Sequence, residues 1–105
     1  MSVIHLSADD YTGEVEQSPI PVLIDLWAAW CGPCRTLGPI IDEIAQERKD
    51  IKVCKVDIDK ETALATKFSI MSIPTLVLLH GGEILAQTTG AMPKDAILSF
   101  LEDNL

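Results

Sequence analysis

The sequence predicts an α/β fold, a mixed five-stranded β-sheet sandwiched by four α-helices in the order βαβαβαββα. Three observations carry this. Val22-Leu23-Ile24-Asp25-Leu26-Trp27 is an almost continuous apolar run, the pattern of a central strand buried on both faces. Leu37, Ile40, Ile41, Ile44 and Ala45 follow at helical spacing. Two later apolar runs flank Gly81-Gly82 and read as a tight hairpin.

Taken in order, Val3-Ile4-His5-Leu6 reads as a short first strand. Ser7 is placed to cap a helix through about Gln17, with Asp9 and Asp10 near its positive end. Ser18-Pro19 and Pro21 punctuate the exit into the central strand. The next helix is expected from about Cys34 to Arg48, kinked by Pro39. Ile51 to Ile58 reads as a strand, and Asp59 as the cap of a short helix ending near Phe68. Thr75 to His80 and Ile84 to Thr89 make the hairpin. A closing helix is expected to begin at Pro93 and to carry Ala96, Ile97, Phe100, Leu101 and Leu105 on one face. Long crossovers imply parallel pairing early in the chain, and the tight turn an antiparallel pair late.

The 105 residues suit one domain, 1–105, with no repeat, low-complexity tract or linker. Sixteen acidic against eight basic side chains give a net charge of −8, which repels phosphate backbones and anionic membranes. No nucleic-acid or membrane partner is expected. The stretch Ile20 to Trp30 falls short of the roughly 20 apolar residues that span a bilayer, and Asp25 interrupts it. Met1 to Asp10 lacks a basic start followed by an apolar run, so the expected compartment is the cytoplasm.

Three cysteines, Cys31, Cys34 and Cys54, do not suit a disulfide-stapled secreted scaffold. Cys31 and Cys34 stand three apart between a buried strand and a helix. With Cys31 as N-cap, Pro33 falls in the first turn, where its missing N–H costs nothing, and the Cys34 amide is free to donate toward the Cys31 sulfur. Unpaired amides and the helix dipole favour a thiolate there. Cys31 would attack a target disulfide, and Cys34 would then resolve the mixed disulfide. That scheme expects Cys31 accessible and Cys34 shielded. A structural disulfide or a zinc site is the alternative. A closed zinc site wants four ligands, and only Cys54, His5 and His80 remain, with no second pair at ligand spacing. No metal is expected. Asp25, among apolar neighbours, should have a raised pKa and is a candidate proton acceptor for Cys34, unless it faces water at a strand edge.

The chain resembles the thioredoxin family over essentially all of its length. The matching marks are Asp25-Leu26-Trp27, Trp30-Cys31-Gly32-Pro33-Cys34, Pro39, Lys55-Val56-Asp57-Ile58-Asp59, Ile73-Pro74-Thr75 and Gly90-Ala91. The resemblance implies a thioredoxin fold and a protein-disulfide reductase working through a reversible Cys31–Cys34 disulfide, with no bound cofactor. Its implied partners are disulfide-containing substrate proteins and a thioredoxin reductase as electron donor, with the chain a monomer. Gly32 and Pro33 would tune the reducing character. Lys55 would pair with Asp25, although a solvated Lys55 whose stem covers the sheet is an equal reading. Pro74 would be cis. Trp30, Ile73, Thr75, Gly90 and Ala91, with Met92, would form an apolar docking face around Cys31.

Several positions depart from the family pattern. Leu26 stands where an aromatic is common and Gly38 where alanine is common. Met71-Ser72 replaces a frequent basic residue and glycine, and Ser69 a frequent glycine. Partner recognition is expected to differ while the chemistry persists. Two rivals remain: an oxidase or isomerase on the same fold, and a non-catalytic binding module. Cys54 reads as an inert core residue, and His5 and His80 as structural or surface groups.

Overall fold

The computed structural model describes residues 3–105. Strand β2, Val22–Trp27, lies at the centre of a five-stranded sheet in the order β1-β3-β2-β4-β5. Strands β1 (Val3–His5) and β3 (Lys52–Asp57) run parallel to β2, whereas β4 (Thr75–His80) and β5 (Glu83–Thr89) are antiparallel. Parallel neighbours need crossovers and the late pair needs only a turn, so the connection lengths already encode this split. Gly81 and Gly82 both take positive φ, 62° and 84°, the conformation a two-residue hairpin turn requires.

Alternation along β2 sends its side chains into two cores. Val22, Ile24 and Leu26 join Tyr11, Val15, Leu64 and Phe68 on one face. Leu23 points to the other, where Leu37, Ile41 and Ile44 of helix α1 (Gly32–Glu47) meet Ile97 and Leu101 of helix α3 (Lys94–Asn104). Asp25 follows Leu23 in this alternation, and Lys55 follows Val53 on β3, so both lie on the α1 face of the sheet. This layering carries the functional side chains to one end of α1.

The helices depart from expectation in five places. The first is a 3₁₀ turn, Ala8–Asp10, running into a π-helical segment, Thr12–Glu16, rather than one α-helix. Ser7 does not cap it: its hydroxyl donates to Asp10 Oδ2 at 2.8 Å. Gly13 weakens helical preference here, while Tyr11 and Val15 are both anchored in the core, so packing rather than propensity sets the local winding. Helix α2, Thr62–Lys67, has Glu61 as N-cap, and Asp59 lies outside it. Pro93 is the N-cap of α3 rather than its first residue, and Leu105 is half exposed instead of joining the buried face. Pro39 sits inside α1 as expected.

Candidate active site

The junction of β2 and α1 builds the site from local rules. Cys31 is the N-cap of α1 in extended conformation, φ −93° and ψ 111°, and Gly32 and Pro33 open the first turn. The Cys34 amide donates to Cys31 Sγ at 3.2 Å. A sulfur in that position receives an otherwise orphaned amide and sits at the positive end of a 16-residue helix. Both features favour negative charge on Cys31 once the pair is reduced. In this structure Cys31 and Cys34 are joined by a disulfide, with Cα atoms 5.3 Å apart. Their exposures differ little, 6% against 4%, so the expected contrast between an open and a shielded sulfur is slight in the oxidised state. Both cysteines pack with Ala28, against Trp27, Ile58 and Ile73.

Asp25 is 2% exposed, and its Oδ1 has no hydrogen-bond partner among the described residues. Burial pushes its pKa up from 3.8 to about 6, opposed by the Lys55 ammonium and reinforced by Asp42. Asp25 and Cys34 line one pocket of about 230 Å³, together with Trp27, Gly38 and Lys55. Asp25 and Lys55 are register partners in adjacent parallel strands. Even so, Lys55 Nζ forms its ion pair with Asp42 Oδ1, at 2.9 Å, and also donates to the Gly38 carbonyl at 3.4 Å. Of the two readings of Lys55, a pair with Asp25 and a solvated side chain covering the sheet, the structure shows neither: its side chain is largely buried and its ammonium pairs with Asp42. Arg35 is spent on the Ala29 carbonyl at 2.9 Å.

The Ile73–Pro74 peptide bond is cis, and the Ile73 carbonyl lies 4.0 Å from Cys31 Sγ. The Pro74 carbonyl accepts from the Gly90 amide at 2.8 Å, tying the Gly90-Ala91 segment to the cysteine loop. Ala91 is exposed, Gly90 and Ile73 half-buried, and Trp30 66% exposed, so these four are available to a docking protein. Thr75 is not: it is buried and its hydroxyl donates to the Ser72 carbonyl at 2.7 Å, bracing the loop from inside. Met92 packs against the α1–α3 core rather than beside Cys31. Met71, at 94% exposure, stands free two residues before Ile73.

Two residues at the site were not read from the sequence as functional. Asp59 accepts from Trp30 Nε1 at 2.9 Å and so holds an exposed indole in place. Asp42 holds Lys55. A spacing signal existed for the second: Gly38 and Asp42 are four apart on α1, hence on one helical face. Cys54 is fully buried and its thiol is pushed up to about 12 by desolvation, consistent with an inert core residue. Among the described residues no group of three His, Cys, Asp or Glu side chains is placed to hold a metal ion. No helix is long and apolar enough to cross a membrane.

Comparison with known proteins gives a consistent result. The sequence model of the family described as Thioredoxin matches residues 2–103. A thioredoxin of Haemophilus influenzae is 38% identical over 104 residues, covering 98% of this chain and 97% of that protein. A protein named thioredoxin 1 from a Nostoc species is 46% identical over 93 residues, covering 88% and 87%. A thioredoxin of Allochromatium vinosum is 40% identical over 104 residues, covering 98% and 97%.

Proposed function

The chain belongs to the thioredoxin family and carries out protein thiol–disulfide exchange, and on that premise we propose the roles of its individual residues. Cys31 is the attacking thiolate and Cys34 the resolving thiol. The observation that carries this order is the Cys34 amide donating to Cys31 Sγ at the head of α1, a stabilisation of charge that Cys34 itself lacks.

Cys31 thiolate attacks one sulfur of a target disulfide, forming a Cys31–target disulfide and expelling one target thiolate. Cys34 loses its proton to the Asp25 carboxylate and attacks Cys31 Sγ. The second target thiolate leaves, the Cys31–Cys34 disulfide forms, and two electrons have passed to the target. Asp25 suits the acceptor role because a pKa of about 6 leaves it ionised at neutral pH, yet basic enough to take a proton usefully. Gly32 and Pro33 shape the turn that holds the two sulfurs. Trp30, Ile73, Gly90 and Ala91 receive the target polypeptide, and Thr75 acts by bracing the loop that carries Pro74. An extended target segment pairs with the backbone of half-buried Ile73, beside Cys31 and just before cis-Pro74, as sheet-edge recognition elsewhere does.

The partners we propose are disulfide-bearing proteins and a thioredoxin reductase that returns two electrons to the Cys31–Cys34 disulfide. We assign the chain as one domain, 1–105, a cytoplasmic monomer with no bound cofactor beyond its own disulfide. The test is a pair of variants given a disulfide-bonded protein substrate. Cys34→Ser should accumulate a mixed disulfide on Cys31, read by intact mass, while Cys31→Ser should neither turn over nor trap. Normal turnover by Cys34→Ser, or trapping on Cys34 in Cys31→Ser, would overturn the assigned order.

A further inference from the structure

The geometry points to Asp42 as a positioning residue for the proton acceptor: it engages the Lys55 ammonium from α1 and so leaves the Asp25 carboxylate without a direct ion pair. This rests on the reading of Asp25 as the group that takes the Cys34 proton. Lys55 is the cation the sheet itself offers to Asp25, since the two are register partners on the same face of neighbouring strands. Its Nζ instead lies 2.9 Å from Asp42 Oδ1 and 3.4 Å from the Gly38 carbonyl. Gly38 and Asp42 are one helical turn apart, so α1 presents a carbonyl and a carboxylate as a single acceptor ledge above Lys55. Asp25 Oδ1 is left buried with no hydrogen-bond partner among the described residues.

The other groups around Asp25 do not substitute for Lys55. Arg35, which lines the same pocket from α1, donates to the Ala29 carbonyl. His5 reaches the pocket from β1 but is exposed. Cys34 is tied up in the disulfide, and Leu76, the register partner on β4, carries no charge. The ionisation of Asp25 is therefore governed by desolvation, which raises its pKa, by the Lys55 ammonium acting through space without a direct pair, which lowers it, and by the like charge of Asp42, which raises it. Removing the Asp42 charge works twice in one direction: repulsion disappears, and Lys55 is free to swing toward Asp25. Both favour the carboxylate. Asp42 is exposed, so its replacement leaves the core packing intact.

The experiment is a side-chain NMR titration of Asp25 in the oxidised protein, for wild type, Asp42→Asn, Lys55→Met and the double variant. Asp42→Asn should lower the Asp25 midpoint from about 6 toward 3.8, and Lys55→Met should raise it above about 6. In the double variant the Asp42→Asn shift should shrink to the part due to repulsion alone, a non-additivity that reports the tether. An unchanged or raised midpoint in Asp42→Asn overturns the proposal, as does an equal drop with and without Lys55. The pH midpoint of mixed-disulfide resolution should move with the titration. If the titration shifts as stated and the kinetic midpoint does not, the tether stands and Asp25's role as proton acceptor fails.

Discussion

Replacing Asp25 by asparagine should change the pH dependence of stability in a way the structure specifies. In the unfolded chain its carboxyl titrates near 3.8, and in the folded protein desolvation moves it to about 6. A raised acid pKa means the folded state holds its proton longer. Its stabilising effect is complete below about 3.8 and is lost as pH rises through about 6. The interval between the two values, at about 1.36 kcal/mol per pH unit, amounts to about 3 kcal/mol. Asp25→Asn removes the titration and keeps the shape, and any cost of burying the unsatisfied amide is independent of pH. Urea unfolding of both oxidised proteins between pH 4 and pH 8 isolates the effect. The stability of Asp25→Asn relative to wild type should climb by about 2.5 kcal/mol across that range, most of it between pH 4 and pH 6. A difference that stays flat with pH would refute the claim that Asp25 is buried with its charge uncompensated.

Three further outcomes follow from other parts of the molecule. Ile44→Ala opens a void in the fully buried α1–sheet contact and should cost about 2 to 5 kcal/mol in urea unfolding, with the reduction potential unchanged. Asp59→Ala frees the Trp30 indole, and should raise KM for a protein disulfide while leaving the potential and the reduction of a small disulfide unaltered. Ser69→Gly should stabilise the fold by up to about 1 kcal/mol in the same unfolding assay, because Ser69 holds φ 53° just past the end of α2. The amide bonds there, Ser69 to the Thr66 carbonyl and Ile70 to the Ala65 carbonyl, are those of a helix end that favours glycine.

The parts of this fold that sequence reasoning reached are those governed by short-range rules. The run Val22–Trp27 is apolar because both faces of β2 are covered, and the one polar residue in it, Asp25, stood out for that reason. The Cys31 cap and its bond from Cys34 follow from three residues and the geometry of a helix start. The hairpin followed from Gly81-Gly82. What escaped depended on distant packing. The first helix is wound by the need to seat Tyr11 and Val15 in the core, which local propensity around Ser7 and Gly13 does not reveal. Asp59 looked like a helix cap, and became a partner of Trp30 only because a loop 29 residues away lies beside it. Alternation along β3 puts Lys55 on the face of Asp25, but which carboxylate it pairs with depends on how α1 lies across the sheet.

This chain acts as a disulfide reductant through the Cys31–Cys34 pair. Its most direct test is the equilibrium reduction potential of that pair against a defined glutathione or dithiothreitol buffer, read by alkylation and intact mass. A reductant of this kind should show a value near the roughly −270 mV characteristic of thioredoxin itself. A value between about −180 and −120 mV, the range of disulfide isomerases and oxidants, would contradict it and reverse the direction of electron flow.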